Sequence, residues 1–483
     1  MKKTYWIVVP IIILLAVAGV LGNRLLSDLA ANTLQSTLQQ TSPSTLPPAI
    51  APTLPLTVGP TIAPIAQMSM QSTQAMTNTA TVTQTMPIKY AVLAWNNLGM
   101  HCYNQDFSNL AILPPYNTLV AQVVKVTEPP QTVTSGVIVE YSFPDNTYSA
   151  DMQGQPDKTN FWQFEQALYG VTTPPNVGLT GKGLSGSMDL AKDGAYYVAE
   201  GIPLTDILDK DASTMTPYPF QKALITVKDA TDPTTVLAQL TVVAPVSTEL
   251  NCQNCHADDA DATKRYPIIP TGKVETNILA IHDYLNTISY TQYLAEYPDL
   301  LAKTPLMDHQ PVNCDWCHSS NATGAPAVGM IKSLSNAMHG HHNPKNAPDI
   351  TPDTAGCYNC HPGPTTQCLR DTMSQNFAMN CTNCHGDITA VAQNQNPWLN
   401  EPKCSNSGCH GAGYDTTQAL YRQSVGHGGI YCEACHDSTH AVAPSREAND
   451  TIKFIQLQGH AGTLSKCTVC HALEPASRFV HGP

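Results

Sequence analysis

The chain has 483 residues and a formal net charge of −13, with 37 acidic side chains against 24 basic ones. This length is enough for two or three domains, and the acidic balance excludes nucleic acid as an expected partner. The chain also carries 16 cysteines, so cysteine chemistry is the first feature that needs an explanation.

Residues 1–24 predict an export signal. Lys2 and Lys3 precede an apolar run from Tyr5 to Gly22, and Arg24 follows it. The run is short for a membrane span and long for the core of a cleaved signal peptide. A signal peptide and an uncleaved signal anchor are therefore both open, the anchor with its lysines in the cytoplasm. Either alternative predicts export to the periplasm or the cell surface.

Residues 25–88 predict a disordered stalk. No charged residue occurs between Leu29 and Ile88, and Thr, Pro, Ser, Gln and Ala dominate the composition. Such a segment buries too little apolar surface to offset the entropy lost on ordering. Its expected role is to hold the folded part of the chain away from a membrane or wall.

Residues 89–248 predict an antiparallel β-sandwich domain. Turn residues separate short runs of alternating apolar and polar residues, a pattern typical of sandwich strands. One helix is expected at Phe161–Leu168. The predicted strands are Tyr90–Trp95, Thr118–Val126, Thr132–Phe143, Ala195–Ala199, Ala223–Val227 and Val236–Val243.

A Cys-x-x-Cys-His motif occurs six times after residue 249, and a seventh copy has two extra residues between its cysteines. The motif cysteines are Cys252, Cys255, Cys314, Cys317, Cys357, Cys360, Cys381, Cys384, Cys404, Cys409, Cys432, Cys435, Cys467 and Cys470. The histidines that end the motifs are His256, His318, His361, His385, His410, His436 and His471.

This spacing is the attachment signature of c-type haem. Two thiols can each add to one vinyl group of the porphyrin, and the adjacent imidazole can bind the iron. Zinc is the alternative, but a zinc site needs pairs of Cys-x-x-Cys and gives no reason for the following His. For the stretched motif Cys404–His410, a disulfide is a further alternative. The sequence thus predicts seven haem c groups.

Residues 249–483 predict a heptahaem domain, mostly helical or irregular, with little regular secondary structure. An irregular apolar stripe favours one helix within Thr276–Leu306. The connections between the later motifs contain little aliphatic sequence, so the porphyrins themselves are expected to form the core. Folding would then be coupled to cofactor attachment.

Ten histidines lie outside the motifs, more than the seven needed for a second axial ligand at every iron. Their positions relative to the motifs favour His282, His339, His427, His440 and His460 as second ligands, with His309, His342 and His481 as further candidates. Thioether ligation by Met373 or Met379 is an alternative at one site. The acidic cluster Asp258, Asp259 and Asp261 is interpreted as a solvated face, with calcium as the alternative.

The segment Trp95–Cys102 contains the only histidine before the first motif, His101. It has three interpretations: a packed side chain, an axial ligand to a haem of the next domain, and part of a copper site. A blue-copper site needs two His and one Cys, which this domain cannot supply alone. Cys102 and Cys368 are the two cysteines outside the motifs, and a disulfide between them would link the two domains.

Three sequence segments resemble multihaem c-type cytochromes of metal-reducing and related bacteria. They are Trp95–Phe107, Pro245–Glu249 and Cys357–Gly386. The resemblance covers roughly residues 90–471. It implies extracellular or periplasmic electron transfer through closely packed bis-His haems, in some members within polymerised filaments. The long stalk and the apparent anchor depart from filament-forming types, which leaves a homopolymer in question.

Two functions follow from these observations. The first is an electron conduit that passes electrons to or from other redox proteins or an extracellular acceptor and needs no catalytic residue. The second is a multihaem reductase of the nitrite, hydroxylamine or tetrathionate type, with one open iron site. All seven motifs end in His, whereas some such reductases have Lys at the catalytic haem. The conduit is therefore preferred, and the stretched motif is the place where an open site is expected.

Overall fold

A computed structural model describes residues 89–256, 271–296, 305–347, 350–351, 353–394, 404–406, 408–411, 414, 420–477 and 481. The predictions for residues 1–88 and for Asp258, Asp259 and Asp261 lie outside this part of the chain. The strands are β1 (Lys89–Asn96), β2 (His101–Cys102), β3 (Leu110–Ala111), β4 (Asn117–Val126), β5 (Gln131–Thr132), β6 (Val137–Ser142), β7 (Ser185–Ser187), β8 (Asp189–Leu190), β9 (Tyr197–Ile202), β10 (Phe220–Asp229), β11 (Val236–Ser247) and β12 (Val312–Asn313).

Two five-stranded sheets make up the part of the chain before residue 248. The first sheet has the order β1-β4-β9-β8, with β5 also paired to β4, and all its pairs are antiparallel. The second has the order β2-β11-β10-β6-β7. It is antiparallel except where β2 runs parallel to the end of β11. A β-rich, largely antiparallel region is therefore present where the sequence predicted one.

The two sheets share one apolar core. Alternate residues of the strands point into it, among them Val92 and Ala94 of β1, Ile225 of β10 and Val242 of β11. Helix α1 (Phe161–Tyr169) adds Phe161, which is fully buried against the edge of Phe107. This core follows from the period-2 alternation, because every second side chain of a strand lies on the same face.

The long strands lie where alternation predicted them, and α1 matches the predicted helix. The run expected at Thr132–Phe143 is divided into β5 and β6, because the turn between them interrupts the pairing. The strands that the sequence did not predict, β2, β3, β7, β8 and β12, have two or three residues each. Tertiary partners define them: β12, for example, pairs with the distant β3 of the β-rich region.

After residue 250 the described chain consists of one long helix, short helices and turns, apart from the two-residue strand β12. The helices are α2 (Gln253–His256), α3 (Val274–Glu296), α4 (Leu334–His341), α5 (Thr354–Cys357), α6 (Thr372–Phe377), α7 (Cys381–His385), α8 (Ile388–Gln393), α9 (Cys432–His436) and α10 (Ile452–Gln458). Short 3-10 turns occupy Asp209–Asp211, Leu306–Asp308, Cys314–Trp316, Tyr421–Gln423, His427–Gly429, Asn449–Thr451 and Cys467–Val469. No helix within the described ranges is long and apolar enough to cross a membrane.

The later part of the chain packs on the outer face of the first sheet. Trp95 of β1 lies 5.8 Å from the ring of Tyr431, and both belong to a second apolar cluster that includes Ala434 and Val469. Gln122 of β4 adds two hydrogen bonds to the same segment, one of them from the Tyr431 amide at 3.0 Å. Strands β1 and β4 are therefore buried on both faces, which explains their nearly unbroken apolar sequence.

Candidate functional site

Each of the six standard motifs is folded by a single turn of backbone. In five of the seven, the amide of the histidine donates to the carbonyl of the first cysteine at 2.9–3.2 Å. These bonds join His256 to Cys252, His318 to Cys314, His361 to Cys357, His410 to Cys404 and His471 to Cys467. The other two motifs are the helices α7 and α9 themselves. The stretched motif thus closes through the same bond as its standard counterparts.

All sixteen cysteines are free thiols in the structure, including Cys102 and Cys368. Burial raises the pKa of Cys360 and Cys432 to about 11, so these side chains are neutral near pH 7. Within the described ranges, no group of three or more His, Cys, Asp or Glu side chains could hold a metal ion.

Five of the seven motif histidines face a histidine from elsewhere in the chain. The ring centroids are separated by 5.7 to 6.2 Å in every pair. The pairs are His256 with His342, His361 with His339, His385 with His440, His436 with His481, and His471 with His427. Three of them are nearly parallel, with interplanar angles of 19° to 27°.

This spacing can be tested against the size of an iron centre. Two metal–imidazole bonds of about 2 Å, plus about 1 Å from each nitrogen to its ring centre, separate two axial imidazoles by about 6 Å. Direct ring stacking would bring the centroids closer. The observed pairs therefore fit one metal ion held between two imidazoles, as in a bis-His haem.

Hydrogen bonds at Nδ1 orient several of these rings. Nδ1 of His318 lies 2.7 Å from the carbonyl oxygen of Lys332, and those of His339 and His342 lie 2.8 Å from carbonyl oxygens one helical turn earlier. A carbonyl only accepts, so Nδ1 carries the proton and the lone pair is on Nε2. Metal-binding histidines typically have such a second partner, which fixes the tautomer and the ring.

Burial favours the uncharged form of His361, His436 and His440. It lowers the pKa of His361 and His436 to about 4 and that of His440 to about 3, and neighbouring histidines add to the effect. A neutral imidazole retains the lone pair that a metal ion needs.

The motif histidine His318 lies near two other histidines. Burial lowers the pKa of His282, and the charge of His318 lowers it further. The pKa of His341 is lowered by burial, by Lys332 and then by neighbouring histidines that include His318. Nδ1 of His282 is buried and has no hydrogen-bond partner in the described chain. His282, predicted as a second ligand, is therefore close to a motif histidine.

The remaining motif histidine, His410, has an aromatic neighbour of a different kind. Its ring lies 5.6 Å from that of Tyr414, which in turn lies 5.2 Å from His481. All seventeen histidines fall within the described residues, and none of them faces His410 as the paired histidines face each other. The stretched motif thus differs from the five paired ones in its surroundings as well as in its spacing.

The first three motifs meet around helices α3 and α4. Asn277 of α3 bonds Nδ1 of His256 at 3.2 Å, and His282 lies further along the same helix. Helix α4 carries His339 and His341, and His342 is the residue that follows it. These face or lie near the histidines of the third, second and first motifs in turn.

The other motifs follow one another in sequence order. The first and third motifs are in contact through a 3.1 Å bond between Asn254 and Asn359. Later neighbours interact electrostatically or through a hydrogen bond: Cys357 with Cys381, Cys384 with Cys409, Cys404 with Cys432, and Cys470 with Cys435. From the third motif to the seventh, each motif therefore neighbours the next, the first contacts the third, and the second lies near helices α3 and α4.

Among the predicted second ligands, His339, His427 and His440 face motif histidines. His460 is exposed and its Nδ1 lies 3.0 Å from the Ala461 carbonyl, so its role as a ligand stays a prediction. His342 and His481 had only secondary support from the sequence. Their motif partners are far away along the chain, so proximity in sequence could not identify them.

His101 is a packed side chain. It is 7% exposed, its Nε2 lies 2.9 Å from Oδ1 of Asn97, and the backbone of Tyr116 accepts a bond from the ring. Nε2 is thus engaged within the β-rich part of the chain. Of the three interpretations of His101, these contacts favour the packed side chain.

Compared with protein-family models, with curated proteins and with solved structures, the chain has no match in any of the three.

Proposed function

We propose that this protein is a multihaem c-type cytochrome that transfers electrons outside the cytoplasm. The observation that carries the proposal is the set of five histidine pairs with centroids 5.7 to 6.2 Å apart, each containing one motif histidine. Seven haem c groups, once attached, would supply one-electron iron couples. The exported location and the redox partners are inferred from the sequence alone.

The chain's own groups have three tasks in this proposal. The motif cysteines would hold each cofactor by two covalent links. The paired histidines would supply the nitrogen ligands of the iron. The carbonyls of Lys332 and Ser335 bond Nδ1 of His318 and His339, which leaves Nε2 of these rings free to bind a metal ion. Partial burial of the imidazoles limits access of water, which keeps the electrostatic environment of each site fixed.

The contiguous order of the motifs supports transfer from site to site. The motifs from the third to the seventh neighbour one another in sequence order, and the first contacts the third. An acidic chain would meet a redox protein through a local basic patch on that partner, or meet an extracellular acceptor directly. Assembly of this chain into a homopolymer is a further arrangement that this order would permit.

The proposal is tested on protein produced in a host that attaches haem c. We expect seven haems per chain by pyridine haemochrome assay, with each motif peptide carrying a haem in mass spectrometry. At least five irons should give low-spin ferric EPR signals. A chain that folds and binds zinc instead, with no covalent haem, would overturn the proposal.

A second candidate is a multihaem reductase whose open iron lies at the stretched motif. The neighbour of His410 is Tyr414, a side chain that is 48% exposed, and this observation favours an accessible site there. The same EPR experiment decides between the two. A high-spin signal equal to one haem, removed by nitrite or cyanide and absent in His410→Ala, would favour the reductase. Seven low-spin irons would exclude it.

A further inference from the structure

The segment Trp95–Cys102, which the proposed function does not explain, forms a rigid turn between β1 and β2. Asn96 is 1% exposed and all its polar side-chain atoms are used. Its Nδ2 donates to Asn117 and to the Thr118 carbonyl, both at 2.8 Å. Its Oδ1 accepts the amides of Leu98 and Gly99 at 3.1 and 2.8 Å. One buried side chain therefore fixes the backbone of the whole turn.

This turn packs against Ser438 and Thr439, the two residues before His440. The hydroxyl of Ser438 donates to the Asn96 carbonyl. Gly99 has φ of +72°, and a Cβ at this position would lie 1.8 Å from the carbonyl oxygen of Thr439. Only glycine allows this approach, because any side chain would displace the backbone of Thr439.

Arg370 forms hydrogen bonds both to the turn at Gly99 and to the backbone of His440. Its side chain is 1% exposed and is held by a bidentate ion pair with Asp450 at 2.6 and 3.2 Å. Its Nη1 donates to the carbonyls of Gly99 and Cys368 at 2.8 and 3.1 Å. Its backbone amide donates to the carbonyl of His440 at 2.9 Å.

His440 itself is held in a rare conformation. Its φ is +65°, a left-handed value that residues with a side chain rarely adopt. The ring faces His385 at 6.1 Å, and Nδ1 lies 3.9 Å from Sγ of Cys368. The sulfur of a thiol is a weak acceptor, whereas His339 and His342 have carbonyl partners at 2.8 Å.

We propose that the turn Asn96–Cys102 and Arg370 position His440 as the axial ligand opposite His385, and that Cys368 sets the reduction potential of that one haem. The inference rests on the proposed function. In this proposal, the β-rich part of the chain contributes to the haem site of the fourth motif through Gly99. The weak Nδ1 partner gives His440 less imidazolate character than His339 and His342 have, since their Nδ1 atoms bond carbonyls. The haem of the fourth motif then has a higher potential than it would have with an oxygen partner.

Gly99→Ala tests the positioning, with Gly136→Ala as its matched control. Gly136 has nearly the same φ, +73°, but nothing lies within 4 Å of the point that a Cβ would occupy there. We expect both variants to carry seven haems, with one low-spin EPR signal shifted or converted to high spin in Gly99→Ala alone. Identical spectra for Gly99→Ala, Gly136→Ala and the parent protein would overturn the positioning role.

Cys368→Ser tests the potential without disturbing the turn. A hydroxyl accepts a stronger hydrogen bond from Nδ1, so one midpoint potential should fall while the other six are unchanged in a spectroelectrochemical titration. An unchanged set of seven potentials would overturn the role of Cys368, even if Gly99→Ala failed to fold. A parent protein without covalent haem would instead refute the proposed function, so the two failures are distinguishable.

Discussion

Lys453 and Asp437 form a buried ion pair where α10 and the end of α9 meet β1. Nζ of Lys453 lies 2.8 Å from Oδ1 of Asp437 and also donates to the Ala94 carbonyl at 3.2 Å. The two side chains are 2% and 9% exposed. A charge that loses its partner in such a place keeps its desolvation penalty without compensation.

Lys453→Met should therefore destabilise the protein by about 3–5 kcal/mol, because Asp437 would stay buried without a cation. Lys228→Met is the control, since the pair of Lys228 with Glu140 at 2.6 Å is partly exposed. Its loss should cost no more than about 1 kcal/mol. Urea unfolding followed by circular dichroism measures both. Equal losses in the two variants would contradict the argument.

The lowered pKa of Glu249 predicts that the stability of the fold depends on pH. Burial disfavours its charge, but the amides of Thr365, Thr366 and Gly363 donate to the carboxylate at 2.7 to 3.2 Å, and the pKa is lowered overall. Because the pKa is lower in the folded state than the unfolded value of about 4.3, the stabilisation is present above that pH. It is lost as the pH falls through the folded pKa.

Glu249→Gln should accordingly be less stable than the parent protein at pH 7, and the difference should shrink as the pH falls below about 4. The measurement is the free energy of unfolding of both proteins at several pH values from neutral down to below the folded pKa. A difference that stayed constant over this interval would mean that the charge of Glu249 does not contribute.

At the scale of elements, α4 and the residue after it place two histidines opposite motif histidines. The two face histidines of different motifs, His339 opposite His361 and His342 opposite His256. Both Nδ1 atoms bond carbonyls of the helix itself, so the helix positions the rings without help from other segments. The C-terminal end of α4 would thus serve two haems.

Each of His339→Ala and His342→Ala should convert one low-spin ferric signal to high spin, and the double variant should convert two. Asn336→Ala is the control on the same helix: it removes a hydrogen bond to the Ala392 carbonyl but no imidazole. All its signals should stay low-spin. Loss of the same signal in all three single variants would mean that the helix is needed only for packing.

The length of an element decides whether the sequence can predict it. Alternation identified β1, β4, β10 and β11, because each has enough residues for a period to be visible. It could not identify β2, whose two residues form a strand only because β11 lies beside them. The motif histidines were evident from spacing, whereas the facing histidines depend on tertiary structure, as with His342 and His256.

At the scale of the whole molecule, apolar burial is distributed unevenly. Of the buried apolar side chains in the described residues, 39 lie between Ala91 and Val246 and only 10 lie beyond residue 250. The first part therefore has a core of its own. The second part has motif cysteines and histidines where a core would be, which is the arrangement expected if porphyrins fill the interior.

The chain produced without haem attachment should consequently be cut by proteases after residue 250 and resist them before it. Limited proteolysis with mass spectrometry should yield a stable fragment that retains β1 to β11, while protein with its haems attached should resist cleavage in both parts, because the cofactors would complete the second core. Arg370 and Lys453 bond backbone atoms of the first part, so the fragment should lose some stability when the rest is removed. Equal resistance of the second part with and without haem would mean that its packing does not depend on the cofactor, and the proposed attachment sites would then need another explanation.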